Sequence, residues 1–263
     1  MRQLYRLGVI AALLLAPCAA ALEEYDVRVL EQRPQSREHF VQGLEIVDGS
    51  LYLSTGTYGG SGLFRYDFSS GELLARRSLP RSVFAEGVSV LGEHVYQLTW
   101  RNRLLLVYER ATLKPLFTLP LPGEGWGLTN NGEQLIYSDG SDKLRFIAAV
   151  TGRQLRTLDV TLDGKPLRAL NELEWIDGAI WANVWGTDRI VVIHPESGRV
   201  SAQIHLHGLL PAAQRRPDTD VLNGIAQDPR SKQIWVTGKR WPWMYRIELL
   251  PRGENAPSRQ ESR

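Results

Sequence analysis

A single cysteine, Cys18, is present among 263 residues, and it falls in an apolar N-terminal stretch. Arg2 and Arg6 precede the run Leu7 to Ala16, which ends in Ala19-Ala20-Ala21, so residues 1–21 read as a signal peptide too short to span a bilayer. Cleavage there leaves a mature chain without cysteine, which excludes disulfides, thiol catalysis and thiolate metal sites. Pro17 sits where a lipidation box needs a small flexible residue, which argues against a lipid anchor on Cys18. A charge excess is missing too: removing Arg2 and Arg6 from 31 basic residues leaves 29, against 29 acidic ones. A neutral chain without a basic stripe is not expected to bind nucleic acid. No second apolar run of about 18 residues follows the leader, so no membrane span is expected. The expectation is an exported protein, periplasmic or secreted, and a monomer.

What the sequence does contain is a repeat. QGLEIVDGSLYLSTG from Gln42, EGVSVLGEHVYQLTW from Glu86 and NELEWIDGAIWANVW from Asn171 share one pattern, and EGWGLTNNGEQLIYSDG from Glu124 and NGIAQDPRSKQIWVTGK from Asn223 fit with two extra turn residues. The starts lie 44, 38, 47 and 52 residues apart. A four-stranded propeller blade takes about 40 to 50 residues, so the spacing predicts an all-β, five-bladed β-propeller over residues 22–250. Asp48-Gly49 and Asp177-Gly178 are two-residue hairpin turns between the first and second strands. The last repeat ends near Leu250 without a fourth strand. Tyr25 to Gln32 is β-rich, and placing it there closes the ring and removes an unpaired edge. From Pro251 to Arg263 the chain is polar and is expected to be a disordered tail.

First strands line the channel of a propeller, so their starts and the ends of the second strands meet at one rim. Counting back from the turns sets Gln42, Glu86 and Asn171 opposite residues 55, 99 and 184. The first ring position then reads Gln42, Glu86, Glu124, Asn171 and Asn223, and the second-strand ends read Gly56, Trp100, Gly140, Trp185 and Lys239. Phe40 and Trp126 join them. Apolar walls with a few polar groups are the make-up of a small-molecule pocket. Glu124 and Asn223 read more simply as solvated or strand-end groups, and Trp175, Trp181, Trp235 and Trp241 as packing between blades. Glu172 stands where the other repeats carry glycine. His205 and His207 lie two apart without a third ligand and read as surface residues, while His39 reads as a rim residue.

At these residues the sequence resembles the plant and bacterial glutaminyl-peptide cyclotransferases, through FVQGLE, LYLSTGTYG, FAEGV, YQLTW, EGWGLT, YSDGS, LNELEW, ANVWGTD, VLNGIA and VTGKRWP. The resemblance runs from about Phe40 to Ile247 and implies a five-bladed propeller that converts N-terminal glutamine of peptides or proteins to pyroglutamate. It carries the family's pocket onto Phe40, Gln42, Glu86, Trp100, Trp126, Asn171, Trp185 and Lys239. The chief departures lie in the loop from Leu209 to Asp220 and in third-strand detail, which bear on rim contacts and peptide preference.

Cyclisation needs the α-amine to lose a proton and the departing nitrogen to gain one, and one carboxylate can do both. Glu86, among tryptophans, is the chosen carboxylate, with Glu172 and Glu124 as secondary candidates. Lys239, Asn171 and Gln42 are candidate donors to the oxyanion. No metal or other cofactor is required. Two alternatives stay open on the sequence: a metal-dependent lactonase propeller, with Glu86, Glu124 and Asn171 as cation ligands, and a non-catalytic propeller binding peptides or sugars on its aromatic rim.

Overall fold

The computed structural model describes residues 21–253; the leader with Cys18 and residues 254–263 lie outside the described residues. Among the described residues, alternating β-rich runs and tight turns give twenty-two strands and one short 3-10 turn, Ala212–Gln214, in an all-β, propeller-like architecture. β1 is Glu23–Pro34. A four-stranded sheet follows from β2 (Val41–Val47), β3 (Ser50–Thr55), β4 (Gly62–Asp67) and β5 (Leu73–Ser78). A second comprises β6 (Ala85–Leu91), β7 (His94–Thr99), β8 (Leu104–Glu109) and β9 (Pro115–Pro120). The third comprises β10 (Leu128–Asn130), β11 (Gln134–Ser138), β12 (Lys143–Ala148) and β13 (Gln154–Asp159). After a small hairpin, β14 (Thr161–Leu162) and β15 (Lys165–Pro166), come β16 (Leu170–Ile176), β17 (Ala179–Val184), β18 (Arg189–Ile193) and β19 (Val200–His205). The last strands are β20 (Leu222–Gln227), β21 (Ile234–Gly238) and β22 (Trp243–Pro251).

β1 supplies the fourth place beside β22, with antiparallel pairs from Tyr25–Pro251 to Pro34–Trp243. Pro251, from which the sequence suggests a polar tail, is thus the last residue of a paired strand. β1 also touches β19 through three parallel pairs, so the last two strand sets form one eight-stranded sheet. Each hairpin turn works as its residues dictate: Asp48 and Gly49 have φ of 49° and 77°, and Asp177 and Gly178 have 46° and 84°. Both central residues of a type I′ turn need positive φ, which Asp and Gly tolerate.

Apolar residues on the sheet faces meet in five clusters, each built mainly from two successive sets. Tyr52 and Leu63 pack on Val88 and Val95; Leu98 and Leu105 on Leu128 and Tyr137; Phe146 and Leu158 on Leu173 and Ile180. Ile190 and Trp181 pack on Val236 and Tyr245, and Trp235 and Met244 return to Val41 and Leu44. Trp181, Trp235 and Trp241 are buried in these clusters and Trp175 packs against one. That is the packing role their positions suggest.

The register at the start of the first strands differs from simple counting. Val41, Ala85 and Leu170 face Thr55, Thr99 and Val184, one residue earlier than expected. An extra residue follows in each case: β2 advances from Val41 to Gly43 while β3 retreats from Thr55 to Ser54, and the same shift occurs in β6, β16 and β20. These are β-bulges, which leave a residue outside the ladder and re-aim its side chain. Gln42, Glu86, Asn171 and Asn223 all lie within these bulges.

The third set corrects the repeat register by two residues. Ser138 bonds to both Trp126 and Gly127, with Trp126 N to Ser138 O at 2.9 Å and Ser138 N to Gly127 O at 3.1 Å. Trp126, not Glu124, therefore occupies the place of Gln42 and Glu86. Glycine follows it for a steric reason. A Cβ on Gly43 would lie 2.4 Å from Val88 N, one on Gly87 2.4 Å from Leu128 N, and one on Gly127 1.9 Å from Asn171 O.

Candidate active site

The bulges aim polar side chains inward from tightly packed first strands. Gln42, Glu86 and Asn171 are 3%, 5% and 2% exposed. One step beyond the bulge, the second strands are tied by backbone bonds from Gly56 N to Phe40 O, Trp100 N to Phe84 O, Trp185 N to Ala169 O and Lys239 N to Val221 O, all 2.8–3.0 Å. Trp100, Trp185 and Lys239 thus hold equivalent places in their sets, and the Lys239 charge acts on Glu86. Trp126 meets Trp185 edge to face at 6.2 Å, and Gly140 (φ 77°) leaves room for its ring, since a Cβ there would lie 2.7 Å from it.

Gln42 Nε2 donates to Glu86 Oε1 at 3.2 Å. Burial pushes the Glu86 carboxyl well above the ordinary range; the Lys239 charge pulls it back and the Glu124 charge adds to the rise. For Lys239 burial lowers the pKa, opposed by Glu86 and Asp220. Each group is thus drawn toward its neutral form by desolvation and toward its charged form by the other, and for Glu86 burial is the larger effect. The Lys239 ammonium lies 4.9 Å from the Phe40 ring centroid. Asn171 carries a buried Oδ1 without a hydrogen-bond partner among the described residues. The arrangement can bind a small polar group against aromatic walls, exchange a proton with it at Glu86 and donate to a developing negative charge from Lys239.

The other candidates take different places. Glu172 is fully buried and accepts the backbone N–H of Leu44 at 3.1 Å and of Ile225 at 2.9 Å, so it braces β2 and β20. Glu124 accepts the indole N–H of Trp100 at 2.8 Å and of Trp126 at 3.4 Å. Asn223 donates to Val41 O at 3.0 Å. His39 is not at the rim: it is buried against Phe64, bonds to the Tyr66 hydroxyl at 2.9 Å, and burial lowers its pKa to about 4. His205 pairs with Glu24 and His207 with Asp188, on separate partners.

Sequence reasoning missed two aromatics. Phe84 meets Trp100 at 5.4 Å and Phe40 at 6.5 Å, and half-exposed Tyr58 meets Phe84 at 5.4 Å. The signal for Phe84 was available: Phe40 and Phe84 both stand two residues before a bulge residue, Gln42 and Glu86. Glu124 stands two before Trp126 in the same way.

The family model described as glutamine cyclotransferase matches residues 6–249. A glutaminyl-peptide cyclotransferase of Arabidopsis thaliana is 34% identical over 231 residues, covering 85% of this chain and 71% of the relative. The crystal structure of Myxococcus xanthus glutaminyl cyclase superposes with a TM-score of 0.82 at 31% identity, covering 89% of this chain and all of that one. The WD40 β-propeller domain of Doa1, at 13% identity and a TM-score of 0.50 over 79% of this chain and 63% of that one, is similar in fold alone. With the family model matched over residues 6–249 and 34% identity to a relative of which it covers 71%, the chain belongs to the glutamine cyclotransferase family.

Proposed function

We propose that this protein is a glutaminyl cyclase acting on peptides or proteins with an N-terminal glutamine, with Glu86 as its general acid and base. The observation that carries the proposal is Glu86 itself, buried at a bulge, held by Gln42 and raised in pKa by desolvation. An α-amine has a pKa of about 7.7 to 8.0, so much of it is protonated at neutral pH. The unprotonated fraction of the amine attacks the side-chain amide carbon, and Glu86 takes the proton that its nitrogen sheds as the bond forms. A C–N bond forms, the bond to the amide nitrogen breaks, and Glu86 returns the proton to the departing nitrogen, which leaves as ammonia.

Lys239 supplies the charge that stabilises the oxyanion, and the unpaired Asn171 Oδ1 accepts an N–H of the substrate amine. Phe40, Trp100, Trp126 and Trp185 hold the glutamine folded and keep water from hydrolysing it. Family membership favours this reading over a lactonase or a binding propeller.

The five clusters and the place of β1 beside β22 support a ring of five blades closed by the N-terminal strand. The leader of residues 1–21 supports export to a periplasm or beyond. Mass spectrometry of a glutamine-initiated peptide after incubation with the purified protein tests the activity: the product is lighter by one ammonia. An unchanged peptide, or one deamidated to glutamate, contradicts it.

A further inference from the structure

We infer that Glu124 is a positioning residue, fixing the indoles of Trp100 and Trp126 through their N–H groups rather than carrying a proton itself. An indole has one donor and no acceptor, and burying its ring fixes the edge but not the direction in which that donor points. One oxygen of Glu124 accepts both donors, at 2.8 Å from Trp100 and 3.4 Å from Trp126, and so ties the wall of the second strand set to that of the third. The other oxygen faces the Arg101 guanidinium at 3.5 Å, whose carbon lies 3.9 Å over the Trp100 ring.

Trp100 is thereby held on three sides. Arg101 covers one face, Glu124 takes its N–H, and Phe84 and Tyr58 flank it at 5.4 and 6.5 Å. Trp126 is confined by Glu124, by Gly140 and by Trp185. Glu124 reaches both rings because it stands where the first two sets carry Phe40 and Phe84, two residues ahead of the bulge. A carboxylate at that place exchanges one aromatic of the wall for a clamp on two others.

The inference rests on the reading of these tryptophans as the substrate wall. Glu124 has a side chain 42% exposed, so truncating it opens no buried cavity. In Glu124→Ala, kcat/KM on a glutamine-initiated peptide falls at least about tenfold, mostly through KM, because displaced walls lose the folded substrate. Glu124→Gln retains an acceptor oxygen and recovers most of that loss. Combining Glu124→Ala with Trp100→Phe costs less than the product of the two single losses, since both remove one contact.

A 1H–15N spectrum of the indole groups reads the same clamp without turnover: the Trp100 resonance, identified by its loss in Trp100→Phe, moves in Glu124→Ala. An unmoved Trp100 resonance overturns the inference. So does a Glu124→Gln enzyme as impaired as Glu124→Ala, which would make Glu124 a proton carrier. A wild-type chain without cyclase activity would sink the cyclase reading and leave the indole test standing.

Discussion

At the scale of single residues, the site depends on a balance between burial and charge at Glu86. Gln42 bonds to this carboxyl, and the Lys239 and Glu124 charges act on it in opposite senses. Because folding into a dry site raises its pKa, the basic form needed for catalysis is lost at a higher pH than for an exposed glutamate. The acid limb of kcat/KM therefore lies above the ordinary carboxylate range. Replacing Lys239 by Met removes the charge that lowers this pKa, so the limb of the residual activity moves to still higher pH. A limb that stays or moves down in Lys239→Met would show that Glu86 does not set it. The recurring strand-end positions in the sequence pick out Gln42, Glu86, Asn171, Trp100, Trp185 and Lys239 as candidates, whereas Phe40 and Trp126 enter the candidate pocket through the family resemblance. Their electrostatics were not legible there, because desolvation depends on what covers a residue.

At the scale of strands, the bulge is the device that makes a site from a repeat. A regular ladder would set Gln42 opposite Thr55; the bulge shifts Val41 there and frees Gln42 to reach Glu86. Counting residues between turns cannot register an extra residue in one strand, which is why the sequence pattern was one off in three sets. It was two off in the third, where EGWG offers two glycines and the pattern aligned Gly125 with Gly43, although Gly127 makes the close approach.

Glu172 departs from that glycine and takes on its own structural role. Its two oxygens accept N–H groups of β2 and β20. Glu172→Ala leaves both donors buried and unpaired, at about 1–3 kcal/mol each, so Tm falls by several degrees and by more than in Glu172→Gln. Equal melting temperatures for Glu172→Ala and the parent would remove the bracing role.

At the scale of the whole molecule, the first strands stand so close that carboxylates from β2 and β16 share one interior. Glu45, Glu172 and Glu174 are buried there; Glu45 accepts Val90 N–H at 2.7 Å and Glu174 accepts Gln227 N–H at 2.9 Å. Burial raises the Glu45 pKa from 4.5 to about 8, and the other two rise for the same cause. A group that binds its proton more tightly when folded stabilises the fold fully below its unfolded pKa and loses that contribution as pH rises through the folded one. The Glu45 contribution to thermal stability therefore declines between about pH 4.5 and 8, against the rise that buried His39, lowered from 6.5 to about 4, contributes over the lower part of that window. Glu45→Gln keeps an oxygen for Val90 and gains on the parent across that window; parallel curves would contradict the assignment. The overall β architecture and the strand that pairs with β22 were legible from spacing and β-propensity, whereas this shared interior was not, because it joins residues remote in sequence.

All three scales converge on one carboxylate: the bulge takes Glu86 out of the ladder, burial dries it, and Gln42 holds it. The most direct measurement is ammonia release from a glutamine-initiated peptide by Glu86→Gln beside the wild type, with a thermal melt to show that both are folded. Removing the proton carrier should cost at least about 10²-fold in kcat while the melt stays within a few degrees. A folded Glu86→Gln protein that releases ammonia at the wild-type rate would contradict the account.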